Sequence, residues 1–251
     1  MGIFVLAFVW LTFVLAGFVK GVVGLGMPTV AMGLLALVMT PAQAAALLTV
    51  PLFLTNFWQA MGPGLAPLLR RMWPMLLGIC VGTACMAAWA GAGLLTANDG
   101  VRASVGLGAG LALYGLLGLS SIELSVPARV EPWLSPLIGV ITGVVAVATG
   151  LYTIPSAPYL QALRLEKDDL VQALGLSFMV STLSLASLLA HAGSLGMSVV
   201  GGSLLALVPA FIGMAFGQWM RSRAQSRAFR ICFFLSSVAL GVHLVVRGLV
   251  R

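Results

Sequence analysis

The chain has 251 residues, of which 61% are hydrophobic and 8% charged, with a mean hydropathy of +1.11 and a formal net charge of +7. A soluble domain carries about 25% charged residues, so a soluble fold is excluded and the chain reads as an integral membrane protein. The basic residues are few and lie between apolar stretches rather than in one patch, which excludes a nucleic-acid partner and fits a lipid bilayer surface.

An apolar run of about 20 residues crosses a bilayer as a helix. In chain order the runs cover 1–20, 22–40, 42–62, 73–95, 101–122, 133–151, 152–163, 170–191, 195–220 and 228–250. The first lacks a basic leader region and an A-x-A cleavage site, so it reads as part of the fold rather than as a cleaved signal. The fold class is therefore all-α and integral to the membrane, with about 8–10 membrane segments. Two joins are unusual. Runs 1–20 and 22–40 meet across GFVKGVVGLGMP (residues 17–28), and runs 133–151 and 152–163 meet at ATGLYTIPSAP, the second being too short to span. Glycine with proline breaks a helix, and irregular backbone survives at membrane depth only where protein covers it or it lines a wet cavity.

The two halves repeat one another. Gly17-x-x-x-Gly21-Val22-Val23 matches Gly139-x-x-x-Gly143-Val144-Val145, and Thr49 matches Ser177. Gly78-x-x-x-Gly82 matches Gly213-x-x-x-Gly217, each preceded by a proline, Pro74 or Pro209. Three matches in the same order predict a duplication, with repeats at 1–122 and 133–251 in one membrane domain. Placing the Arg70-Arg71 loop in the cytoplasm puts Arg129, Arg164, Lys167, Arg221, Arg223, Arg227 and Arg230 there too, leaving Arg102, Arg247 and Arg251 outside. Both termini then face the periplasm. Each half holds a broken or re-entrant helix pair plus three crossings, so the second half is inverted relative to the first. Inverted repeats with broken helices are a plan of secondary transporters, whose sites lie at the breaks near the midplane.

Lys20 is the charge that belongs to neither surface. On a helix it borders the face of Gly17, Gly21 and Gly24. Two readings stand side by side. If the first helix spans fully, Lys20 snorkels to the headgroups; if the helix breaks or re-enters, the lysine faces a site. Gly24 and Gly26 precede a helix start at Pro28 and Thr29, where orphan N–H groups and the positive dipole end suit an anion. Gly17 and Gly21 fit plain helix packing equally well. In the second half Thr142 and Gly143 take the places of Lys20 and Gly21, and Thr149, Tyr152 and Thr153 follow near the break. Thr49, Asn56 and Gln59 lie on the next helix of the first half; Ser177, Ser181 and Thr182 lie on the matching helix of the second. Singly, a serine or threonine here more often bonds its own helix backbone, whereas amides are costly in lipid and turn Asn56 and Gln59 toward the bundle.

No Asp or Glu lies well inside an apolar run: Asp99, Glu123, Glu131, Glu166, Asp168 and Asp169 sit at ends or loops. That pattern argues against a proton carrier built on a buried carboxylate. His191 and His243 fall toward helix ends, and Cys80, Cys85 and Cys232 form no ligand or disulfide pattern. No cofactor or metal is expected. A Ser–His pair, a membrane-depth acid pair and HExxH are all missing from the sequence, so an intramembrane enzyme is not expected either.

These motifs resemble a known family. GFVKGVVGLGMP with AALLTVPLFLTNFWQA, then GVITGVVAVATGLYTIP, ALGLSFMVSTLSLA and ALVPAFIGMAFGQWMRSR, resemble the sulfite exporter (TauE/SafE) family, also called the toluene sulfonate uptake permeases, from about residue 10 to 245. One departure is Ala146, standing where the first half has Gly24. The resemblance implies a bacterial inner-membrane transporter of sulfite, sulfoacetate or other organic anions, with a proton or sodium ion as a possible coupling ion. A channel-like or uniport carrier of another small solute is the alternative reading.

Overall fold

The computed structural model describes residues 3–24, 26–90, 100–120, 125–195, 197–221 and 226–250. Leu25, Asp99, Glu123, Arg223 and Arg251 lie outside them, as do the side chains of Arg102, Arg221, Arg227 and Arg230. Every element among the described residues is helical: α1 Ile3–Val23, α2 Met27–Leu35, α3 Pro41–Ala60, α4 Leu65–Ala90, α5 Gly100–Leu119, α6 Glu131–Thr149, α7 Ser156–Ala162, α8 Lys167–His191, α9 Met197–Leu205, α10 Leu207–Arg221 and α11 Ser226–Leu249. Among the described residues six stretches are long and apolar enough to cross a membrane: Phe4–Val23, Leu65–Ala90, Glu131–Thr149, Lys167–His191, Gly201–Met220 and Ile231–Leu249. The all-α membrane class read from the sequence therefore holds.

Both joins are breaks. α1 stops where Gly24 and Gly26 turn left-handed, at φ 84° and 102°. α6 stops at Gly150, φ 75°. The helices that follow are short: α2 has 9 residues and α7 has 7, about 13 Å and 10 Å of rise, so neither crosses a hydrocarbon core of about 30 Å. Both are buried on most of their length.

Two boundaries differ from those read in the sequence. α4 begins at Leu65 rather than near 73, so Arg70 and Arg71 ride its first turns; arginine is a good helix former, and hydropathy marks only where apolar character starts, not where the helix does. The run 195–220 is two helices broken at Ala206. Pro209 has no N–H to give the Leu205 carbonyl and its ring crowds it, so the helix cannot run straight through.

The glycine motifs decide which helices pair. Gly17 and Gly21 of α1 lie on the backbone of α10, against the carbonyls of Ala210 and Met214; Gly213 and Gly217 of α10 lie on the carbonyls of Val14 and Phe18. Gly139 and Gly143 of α6 lie on the carbonyls of Met75 and Ile79 of α4, and Gly78 and Gly82 return the contact at Pro136 and Val140. A Cβ at any of these positions would enter the neighbouring backbone. Here helices approach because small residues allow it, not because water drives them together. α5 pairs with α11, and α3 pairs with α8 at the centre.

α3 carries a proline in its middle, Pro51, which leaves the Leu47 carbonyl without its helical donor. Ser203 of α9 repairs this: its hydroxyl donates to the Leu47 carbonyl (2.7 Å) and accepts from the Val50 N–H (3.2 Å). Backbone groups freed in an apolar interior need such a partner. At one end of the bundle Arg71 meets Glu131 with both guanidinium and carboxylate engaged, at 2.6 and 2.8 Å. The Val126 N–H donates to Ala162 at 3.0 Å, and Gly64 lies beside Asp169. The segments around Arg71, Arg129, Arg164 and Lys167 thus gather at this end.

Candidate functional site

Lys20 lies in the last turn of α1 and is 4% exposed. It does not run out to a surface. Its ammonium turns inward to α3, donating to Thr55 Oγ1 at 3.0 Å and to Asn56 Oδ1. Thr55 gives its own proton to the Pro51 carbonyl (2.6 Å), so its lone pairs face the lysine. Among the described residues the single ion pair is Arg71–Glu131; Lys20 has only neutral acceptors. A charged side chain buried within a membrane bundle is costly, and two neutral hydrogen bonds leave the charge of Lys20 unbalanced.

Asn56 is fully buried. Its carbonyl oxygen is held by the lysine, so the amide nitrogen faces away. That Nδ2 makes no hydrogen bond among the described residues, and the Tyr152 hydroxyl lies within interaction range of the amide. Tyr152 comes from the break after α6. Its hydroxyl is 3.0 Å from Thr182 Oγ1 of α8, and its ring leans on Phe178 at 5.4 Å between centroids. A continuous polar line therefore runs Lys20, Asn56, Tyr152, Thr182, from the first half of the chain to the second. It is rich in N–H donors and lacks an acid. Such a line suits a ligand that brings oxygens and negative charge.

The two breaks meet beside this line. Thr29, in the first turn of α2, lies 3.5 Å from Thr153, hydroxyl to hydroxyl. Gln59 ties the first break in place: its Nε2 donates to the carbonyls of Gly24 and Val171, both at 3.0 Å. Gly24 and Gly26 shape the turn that presents the Gly24 carbonyl and starts α2 at Met27.

Of the residues singled out in the sequence, the structure brings together Lys20, Asn56, Tyr152, Thr29 and Thr153, with Gly24, Gly26 and Gln59 around them. It places others differently. Gly21 and Gly143 are buried in helix–helix backbone contact, the packing alternative weighed for the first motif. Thr49, Thr142, Thr149 and Ser181 donate to the carbonyls four residues back, Ala45, Ile138, Val145 and Ser177, the ordinary way to seat a hydroxyl in an apolar helix. Thr49 also lines a small cavity with Tyr152 and Thr182. Ser177 is buried with its hydroxyl unpartnered among the described residues. Thr55 was missed in the sequence. A signal was there: it adjoins Asn56 and stands four residues after Pro51.

A family model described as sulfite exporter TauE/SafE matches residues 9–244, which include both breaks, α3 and α8. The chain belongs to the sulfite exporter TauE/SafE family. No curated protein and no solved structure matches it. With six stretches among the described residues able to cross a bilayer, this TauE/SafE member is a multi-pass membrane transporter, and the resemblance read from its glycine motifs is upheld over nearly the whole chain.

Proposed function

We propose that this TauE/SafE protein is a secondary transporter that exports small sulfur-containing or organic anions, such as sulfite, sulfoacetate and other sulfonates, across the bacterial inner membrane. The observation that carries the reading is Lys20: a buried ammonium with neutral partners, beside an amide nitrogen, Asn56 Nδ2, that has no acceptor among the described residues. An oxyanion seated there would accept from the third ammonium N–H, from Asn56 Nδ2 and from the Tyr152 hydroxyl, and would balance the charge. The substrate class and the direction rest on the family's description. Alternating access is supported by the packing. The motifs that match as repeats, α1 with α6 and α4 with α10, pair crosswise, α1 on α10 and α6 on α4. Two inverted halves, 1–122 and 133–251, would rock about the central α3–α8 pair. The enclosing bilayer and a proton or sodium gradient complete the set of partners in this reading. The test is flux into proteoliposomes of purified protein, using sulfite, sulfoacetate and a simple carboxylate under imposed proton or sodium gradients. Saturable flux of a sulfur oxyanion is expected. Flux of a neutral solute with no anion flux would overturn the proposal.

A further inference from the structure

A second cavity, of about 370 Å³, lies at the end of the bundle opposite Arg71. It is framed by the α2–α3 connection, the first turn of α3, and the ends of α5 and α11 that reach this level; its polar lining is Thr40, Gln43, Ser104 and Arg247. That volume lies in the range of small-molecule sites. Among the described residues no acidic side chain lines it, and Arg247 stands half-buried in its wall. The Arg247 Nη1 donates to the Leu37 carbonyl at 3.1 Å, which fixes the planar guanidinium against the α2–α3 connection. The start of α3 adds the positive end of a helix dipole on the same wall.

The cavity also lies on a line to Lys20. From Gln43, α3 descends to Thr49 and then to Asn56, about 9 Å and about 20 Å of rise. At the level of Thr49 lies the smaller cavity, about 10 Å³ and room for about one water, walled by Met32, Gly150, Tyr152 and Thr182. The methyl end of Met32, a flexible thioether side chain in the wall of this small space, rests on Gly150. Methionine repacks readily, which suits a constriction that opens.

We propose that the wide cavity is the outer chamber of the transport path and holds an oxyanion at Arg247, one step from the Lys20 site past Met32. This rests on the anion-transport reading above. An oxyanion in the chamber would be bound by Arg247, with the α3 dipole adding to its field. A lipid phosphate offers the same chemistry and is the competing occupant.

Two measurements on full-length protein in proteoliposomes test it. The first is sulfite flux by wild type, Arg247→Gln and Lys20→Met. Arg247→Gln is expected to raise KM roughly fivefold, as loss of one partly exposed charge contact would, with kcat held. Loss of flux in Lys20→Met together with an unchanged KM in Arg247→Gln would overturn the chamber while leaving the central site standing. The second reads the field without transport. In a background where Cys80, Cys85 and Cys232 are serine, Gln43→Cys is labelled with an anionic and a cationic thiosulfonate. The anionic reagent is expected to react faster, and the ratio to fall when Arg247→Gln is added; an unchanged ratio overturns the proposal. A phospholipid that co-purifies with wild type, is lost from Arg247→Gln and leaves KM unaltered would assign the chamber to lipid and overturn it as well.

Discussion

Gly24 and Gly26 allow the break after α1 to be tested by a pair of alanine substitutions with different expected costs. Both residues have φ in the left-handed region, 84° and 102°. Placing a Cβ there costs about 1–2 kcal/mol in either case. The surroundings differ. A Cβ at Gly24 would meet only Val171 Cγ2, at 3.9 Å, an ordinary contact. A Cβ at Gly26 would lie 2.9 Å from Phe233 Cζ and 3.1 Å from Val19 Cγ1, adding overpacking of about 1–3 kcal/mol. A chain of this length shifts its midpoint by about 2–4 °C per kcal/mol. Gly24→Ala should therefore lower the melting temperature of detergent-purified protein by about 5 °C, and Gly26→Ala by about 10 °C. Intrinsic tryptophan fluorescence during heating reads both. If Gly26→Ala were as stable as wild type, or more stable than Gly24→Ala, the left-handed turn against Phe233 would be wrong.

Other consequences follow from single side chains. Ser203→Ala removes the partner of the Leu47 carbonyl and the Val50 N–H and should cost about 1–3 kcal/mol; adding Pro51→Ala, which restores an N–H to α3, should recover part of the lost thermal stability. Tyr152→Phe keeps the ring on Phe178 but deletes the hydroxyl facing Thr182 and Asn56, so the melting temperature should move little while the KM for sulfite flux rises severalfold. Glu131→Gln breaks the Arg71 pair, but Arg71 is 44% exposed, so screening limits the loss to under about 1 kcal/mol, seen as a shift of no more than a few degrees that vanishes in high salt.

What the sequence made legible were features that membrane physics forces into composition. Residues that let backbones touch must be glycine, so Gly17, Gly21, Gly78, Gly82, Gly139, Gly143, Gly213 and Gly217 could be read as a repeating signal before their partners were known. A charge in an apolar run is costly enough that Lys20 stood out at once. Which way Lys20 turns was not legible, because it depends on where α3 passes: Thr55 and Asn56 lie 35 and 36 residues away in the chain. Hydroxyls were the hardest to sort. Thr142 and Thr153 look alike in a string of letters, yet Thr142 sits inside α6 and bonds its own backbone, while Thr153 sits in a break and reaches Thr29. The repair of Pro51 by Ser203 was invisible for the same reason, since it joins residues about 150 apart.

The measurement that bears most directly on the central claim is anion binding to Lys20→Met. Methionine keeps most of the length of the side chain and removes a buried charge that has no acidic partner, which offsets the loss of the bonds to Thr55 and Asn56. Thermal shifts with sulfite and sulfoacetate would be recorded on wild type and variant, with the untreated melting temperature as the control for folding. The variant is expected to melt near the wild-type temperature and to be stabilised by neither anion. Equal stabilisation of both proteins would contradict it and leave Lys20 a packing residue.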